Sequence, residues 1–225
     1  MSNLRSLSFA VVAIGALSFG VPTVHADVQD YTISVPNSAV SPYPPPYATV
    51  EVNRTSTTTA TITFTSFDNG TDIFLMGDGG SADVNVNATS FTLGAISGSG
   101  LAGFTPGPHS DGGSGNVDGF GVLNQTINSF DGFTHSSTLI SFTLTDTSGT
   151  WASASNVLVA NNTGTVAAIH AFVCADPCTT GSGALATGFA GNGGSTPVVP
   201  EPASLALLGT ALLGLGAVWR RRNRV

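Results

Sequence analysis

Few side chains in this chain of 225 residues could do chemistry: four His, two Cys, and acidic residues that are nearly all Asp. His109 lies in Gly107-Pro-His-Ser-Asp111, and His135 follows Asp131-Gly-Phe-Thr. His170 alternates with Ala168 and Phe172 on what reads as a central strand, the setting of a hydrogen-bonded core histidine. No Gly-x-Ser-x-Gly elbow, His-x-x-x-His pair or His-Glu-x-x-His helix is present, so neither a serine-hydrolase nor a zinc-peptidase site is spelled out. Gly98-Ser-Gly-Leu-Ala-Gly103 matches the dinucleotide fingerprint by letter. That fingerprint needs a helix N-terminus to hold the pyrophosphate, and Phe104-Thr-Pro-Gly-Pro108 follows instead. Glycoside hydrolysis needs two carboxylates about 5–10 Å apart. Glu51 is the one Glu before the tail and sits in an expected strand, so such a pair would rely on Asp. No residue is assigned a catalytic role.

Binding chemistry is better represented. Asp111, Asn116 and Asp118 fall within one Gly-rich stretch, and Asp68 and Asp72 flank another. Hard cations take several oxygens from flexible loops, so Asp111, Asn116 and Asp118 form the expected calcium set, although their spacing is not that of an EF-hand. The competing role for Asp in such segments is turn formation. Cys174-Ala-Asp-Pro-Cys178 places two thiols across a turn-forming Asp-Pro, which in an exported chain predicts one local disulfide. Thr57, Thr59, Thr61, Thr63 and Thr65 recur at about 6.7–7 Å along a strand, a hydroxyl row able to meet ordered water, ice or sugar. Trp151 would stack on sugar if exposed and anchor the core if buried.

The elements that must position these groups are strands. In 57–67 the threonines share one face while Ala60, Ile62 and Phe64 share the other. Ile140, Phe142 and Leu144 line the inside of a second strand over 137–145, and 165–174 is apolar on both faces, as in a covered central strand. Further strands are expected at 31–35, 48–53, 72–76, 83–87, 90–93, 119–123 and 156–160. Asp68-Asn-Gly70, Gly77-Asp-Gly-Gly80 and Ser148-Gly149 read as turns, Ser41-Pro-Tyr-Pro-Pro-Pro-Tyr47 as a polyproline connector, and 97–119 as a long loop. No segment of the middle supports a helix. The expected fold is all-β, an antiparallel jelly-roll-like β-sandwich over 27–190.

The two ends differ in kind from the middle. Residues 1–26 combine Arg5, the apolar run 9–19 and Val24-His-Ala26, which predicts a secretory signal peptide cut after Ala26. Residues 191–198 read as a Gly/Ser/Thr linker and 203–219 as an uncharged apolar segment, about 25 Å long as a helix and so at the short limit for a membrane span. Arg220, Arg221, Arg222 and Arg224 follow it and stay cytoplasmic by the positive-inside rule. Those four and Arg5 leave Arg54 alone against 13 acidic residues, with no Lys anywhere. Such a surface repels phosphate, which excludes nucleic acid as a partner and disfavours anionic lipid headgroups.

Pro200-Glu201-Pro202, the short Leu/Gly-rich span and the terminal Arg cluster together resemble the PEP-CTERM sorting signal of Gram-negative bacteria, over 199–225. The resemblance implies recognition and cleavage near Pro200, Glu201 and Pro202 by an exosortase, a membrane protease. It further implies an inner-membrane precursor whose mature form reaches the outer surface or the exopolysaccharide matrix. It carries nothing about 27–196. The function expected is a non-enzymatic cell-surface or matrix protein, without a cofactor unless calcium binds. The competing expectation is a lectin-like or weakly hydrolytic carbohydrate-active domain, which would need a concave site joining Trp151, Tyr43 or Tyr47 to clustered Asp.

Overall fold

Alternation of apolar and hydroxyl side chains builds the inner wall of the molecule. The computed structural model describes residues 27–192, so the expected signal peptide, the span 203–219 and the Arg cluster lie outside the described residues. Twelve strands follow one another: β1 Asp27–Pro36, β2 Ala48–Arg54, β3 Thr59–Ser66, β4 Asp72–Met76, β5 Asp78–Val84 and β6 Phe91–Leu93, then β7 Ser97–Ser99, β8 Ser110–Val117, β9 Gly121–Ser129, β10 Leu139–Asp146, β11 Ala167–Ala175 and β12 Ala186–Asn192. In β3, Ala60, Ile62 and Phe64 are fully buried while the intervening threonines face out, and β10 repeats the pattern with Ile140, Phe142 and Leu144. Helix is confined to two short 3-10 turns among the described residues, and no helix there is long and apolar enough to cross a membrane.

The sheet is antiparallel throughout, in the order β6-β10-β3-β2-β1-β12-β11-β5-β9-β8, with β7 sharing the outer edge of β10 and β4 sharing that of β11. It is one hydrogen-bonded path rather than two facing sheets. Its far sides approach one another where Met76 and Ser137 exchange backbone hydrogen bonds of 2.8 and 2.7 Å, and where Phe74 N–H reaches Phe67 O at 3.0 Å. The all-β antiparallel expectation therefore holds. The jelly-roll-like sandwich is replaced by a sheet nearly closed into a barrel, because β12 pairs with β1 on one side and β11 on the other and joins what would have been separate sheets.

The enclosed core holds Tyr47, Phe64, Phe74, Phe142 and Trp151, with Tyr47 edge-on to Phe74 at 4.9 Å. Two smaller clusters cover the outside: Ile73, Leu75, Phe104, Phe172 and Cys174 in one, and Val117, Phe120, Leu123 and Ala168 in the other. β11 has its inner residues Ile169, Ala171 and Val173 in the main core and its outer residues under both satellites, so its two apolar faces are both covered, as expected of a central strand.

Four boundaries differ from expectation for physical reasons. The stretch 97–119 is not a loop but carries β7 and β8, the latter paired with β9 through two register shifts that its glycines permit. Gly77-Asp-Gly-Gly80 is not a turn; it opens β5 as a wide irregularity, with Asp78 at φ 63° and Gly80 N–H bonded to Asn128 Oδ1 at 2.9 Å. The expected strand 156–160 is a 3-10 turn and one bridge between Val86 and Leu158. β12 includes Gly191 and Asn192, which composition assigns to the linker. A Cβ on Gly191 would stand about where the Phe120 ring lies, 2.5 Å from Cδ1, so that glycine marks a close approach rather than flexibility.

Asn192 closes the domain. Its Oδ1 accepts from Val166 N–H at 2.8 Å and Ala167 N–H at 3.1 Å, and the residue is 6% exposed. Replacing Asn192 by Ala leaves two buried donors without an acceptor, and the expected loss is about 1–3 kcal/mol in urea unfolding. An unchanged midpoint would show that water replaces the amide at no cost.

Candidate functional site

A depression of about 570 Å³ is lined by Asn87, Asp146, Ser148, Thr150, Trp151 and Asn156 among others. Trp151 is its floor rather than a platform. The residue is 2% exposed and its Nε1–H donates to Asn87 O at 2.8 Å, so the indole belongs to the core. Asp146 turns back on its own loop: Oδ1 accepts from Ser148 N–H and Gly149 N–H, both at 2.8 Å, and from Ser148 Oγ–H at 2.9 Å. The Ser148 backbone bond leads the set that holds this carboxyl below its usual range. Tyr47 is fully buried and donates to Tyr43 O at 2.7 Å. The concave pairing of exposed aromatic and clustered Asp needed for sugar stacking is therefore not assembled here; the depression holds one carboxylate.

The histidines are dispersed. His109 Nε2 lies 3.0 Å from Ser137 Oγ, the contact of a nucleophile with its base. Ser137 is fully buried, and no carboxylate among the described residues hydrogen-bonds His109. The pair thus pins the segment before β8 to the start of β10. Burial pushes the His109 imidazole below its ordinary range. His135 is half-buried and bonds Asp131 O at 3.1 Å through Nδ1. His170 stacks between Phe189 at 4.4 Å and Phe172 at 5.6 Å, with Nε2 2.8 Å from Thr187 Oγ1 and Nδ1 buried without a partner. Burial lowers its pKa, against the pull of the Asp78 carboxylate.

The expected calcium residues are not brought together. Asp111, Asn116 and Asp118 are spread along β8 and its turn because that segment is a strand. Asp111 stands opposite Ile127, Asn116 opposite Val122. Asp111 Oδ1 is occupied by Gly113 N–H and Gln125 Nε2–H, each at 2.8 Å, and Asp118 Oδ2 accepts from Asn37 Nδ2–H at 3.1 Å. Asp68 Oδ1 caps Gly70 N–H in a turn of its own. Among the described residues no group of three or more His, Cys, Asp or Glu could hold a metal ion. Cys174 and Cys178 are disulfide-bonded, with Cα atoms 5.6 Å apart, at the corner that ends β11.

Two groups lay beyond sequence reasoning. The threonine row is not solitary: Thr59, Thr61 and Thr63 stand opposite Thr145, Thr143 and Ser141 of β10, with Thr63 Oγ1 3.1 Å from Ser141 Oγ. Asp83 is fully buried with neither carboxyl oxygen hydrogen-bonded. Alternation with Ala82 and Val84 signals that Asp83 faces away from the core, but its burial comes from long-range neighbours, Thr126 and Ala168 in the sheet and Gly80 against its carboxyl.

His109 generates a test. An imidazole kept neutral by burial takes up its proton later than in the unfolded chain, so folding carries no penalty above about pH 6.5 and an increasing one below it. His109→Gln removes that penalty while keeping a partner for Ser137. Relative to wild type, the variant is expected to gain stability on going from about pH 7 to about pH 5 in urea unfolding. A relative loss would show His109 charged in the fold.

No curated protein and no solved structure matches the chain. Beyond the last described strand, residues 198–222 match the PEP-CTERM protein-sorting motif, a segment that contains Pro200, Glu201, Pro202 and Arg220, Arg221 and Arg222.

Proposed function

We propose that this is a non-enzymatic protein of the outer cell surface or extracellular matrix of a Gram-negative bacterium, delivered there by an exosortase-type system acting near Pro200-Glu201-Pro202. The PEP-CTERM motif at 198–222 carries the reading: it marks an exported protein with a membrane-anchored precursor, processed by such a system. The motif begins six residues after Asn192, the end of β12, so the folded domain and the sorting segment are close neighbours in the chain. A low charged fraction of 8% and the absence of Lys suit a passive extracellular body with no attraction for phosphate. The non-enzymatic part is supported by the sealed Ser137–His109 contact and by the dispersal of the remaining histidines.

The carbohydrate-binding alternative now rests on the outward hydroxyl rows of β3 and β10 rather than on Trp151, whose ring is buried. Replacing Thr61 and Thr63 together with Val would remove polysaccharide retention if those rows make the contact.

Sorting is tested directly. Replacing Glu201 by Gln, or deleting 220–224, is expected to leave full-length precursor in the membrane fraction, read by cell fractionation and intact mass. Normal surface delivery of both variants would remove the exosortase assignment.

A further inference from the structure

Among the described residues β8 is a terminal strand of the sheet path, with β9 its one strand partner, and the tip of the β8–β9 hairpin folds back onto β11 and β12, beside β5. The tip brings Val117, Phe120 and Leu123 against Ala168 and Phe189. Phe120 rests on the Gly191 backbone, and its carbonyl accepts from Asn161 Nδ2–H at 2.8 Å and Thr163 Oγ–H at 2.6 Å. Gly119 at φ +87° and Gly121 at φ +75° flank Phe120 and form the tight turn of the tip.

Asp83 lies on β5, beside this tip. It stands opposite Thr126 of β9 and Ala168 of β11, and is fully buried with both carboxyl oxygens unpartnered. Its Oδ2 is 2.8 Å from where a Cβ on Gly80 would be, so the carboxyl is packed directly behind the Gly80 backbone. Gly80 in turn lines a cavity of about 320 Å³ that also meets Gly112, Asn116, Thr126, Asn128 and Phe189. Gly80 and Thr126, both neighbours of Asp83, thus also line this cavity.

We propose that Asp83 is a proton-operated latch for the β8–β9 hairpin: protonated, it lets the tip close onto β11 and β12, beside β5; ionised, it draws water in past Gly80 and lifts the tip. An unpaired carboxylate in an apolar enclosure costs several kcal/mol, whereas the neutral acid costs far less. No cationic side chain on the packed elements offsets that charge. The titratable groups there are His170 on β11, Asp78 on β5 itself, Asp111 on β8 and Asp118 in the hairpin turn; β9 and β12 contribute none. Asp111 and Asp118 already hold Gln125 and Asn37, and His170 is stacked between two phenylalanines. Burial raises the Asp83 pKa well above that of an ordinary carboxyl. The folded chain thus keeps a proton that the unfolded chain gives up near about pH 3.9, so closure is firmest below that pH and is lost as pH rises toward the raised value. Opening would bare Val117, Phe120, Leu123 and Phe189, an apolar surface absent from the closed form.

Hydrogen exchange of the purified full-length chain in detergent micelles, from about pH 5 to about pH 9 and corrected for intrinsic chemistry, tests this. Amides of 117–123 are expected to lose at least about tenfold in protection with rising pH relative to those of β3 and β10, and to lose none in Asp83→Asn. The same pH profile in both chains, or a profile abolished by His170→Gln and retained by Asp83→Asn, overturns the latch. Should Asp83→Asn fail to fold, the ¹³C carboxyl resonance of Asp83 in the wild-type chain decides. Titration together with the opening supports the latch, and titration in a different range overturns it.

Discussion

The structure depends on the insertion of β12 between β1 and β11. β1 begins at Asp27, the first residue after the expected signal peptide, and β12 ends at Asn192, six residues before the sorting motif. The first and last described strands are thus hydrogen-bonded neighbours in the interior of the sheet. Closing a loop of that length costs only logarithmically in entropy, but the contact is among the least local a chain can make and slows folding. For an exported protein this has a consequence: the ladder cannot be completed until both β1 and β12 are on the same side of the membrane.

The satellite around Phe120 depends on the same joint. Phe120 can lie against β12 because Gly191 has no side chain, and Asn192 holds the start of β11 through Val166 and Ala167. The other end of β1 is tied separately. Asp27 pairs with Arg54 at 3.3 Å and its Oδ2 accepts from Ala154 N–H at 2.6 Å. Arg54, the one cation of the middle of the sequence, is thus used where β1 starts, which leaves the surface elsewhere to hydroxyls, amides and scattered carboxylates.

Much of the inner wall was legible in the sequence. β3, β10 and β11 declared themselves by period-two alternation or by two apolar faces, because burial of large side chains is what forms them, and β4 matched its expected bounds 72–76. β8 and β12 did not, because they are strands of Gly, Ser, Asn and Ala whose role is to let other groups approach closely. Their glycines read locally as loops, and only the partners at long range explain them. The choice between a sandwich and a curled sheet was hidden for the same reason. Among candidate sites, the local disulfide and the sorting segment were legible because each is contained in a short run of residues. The calcium set falls on β8 and its turn rather than on the loop its glycines suggested, and the unpartnered state of Asp83 could not be read without its long-range neighbours.

The central place of β12 is tested most directly by comparing two truncated chains that both begin at Asp27, one ending at Asn192 and one ending at Leu185, by urea unfolding followed by circular dichroism. The longer chain should unfold in a single cooperative transition with a β-sheet spectrum, and the shorter should show no such transition. A cooperative transition of equal midpoint in the chain lacking β12 would contradict the account.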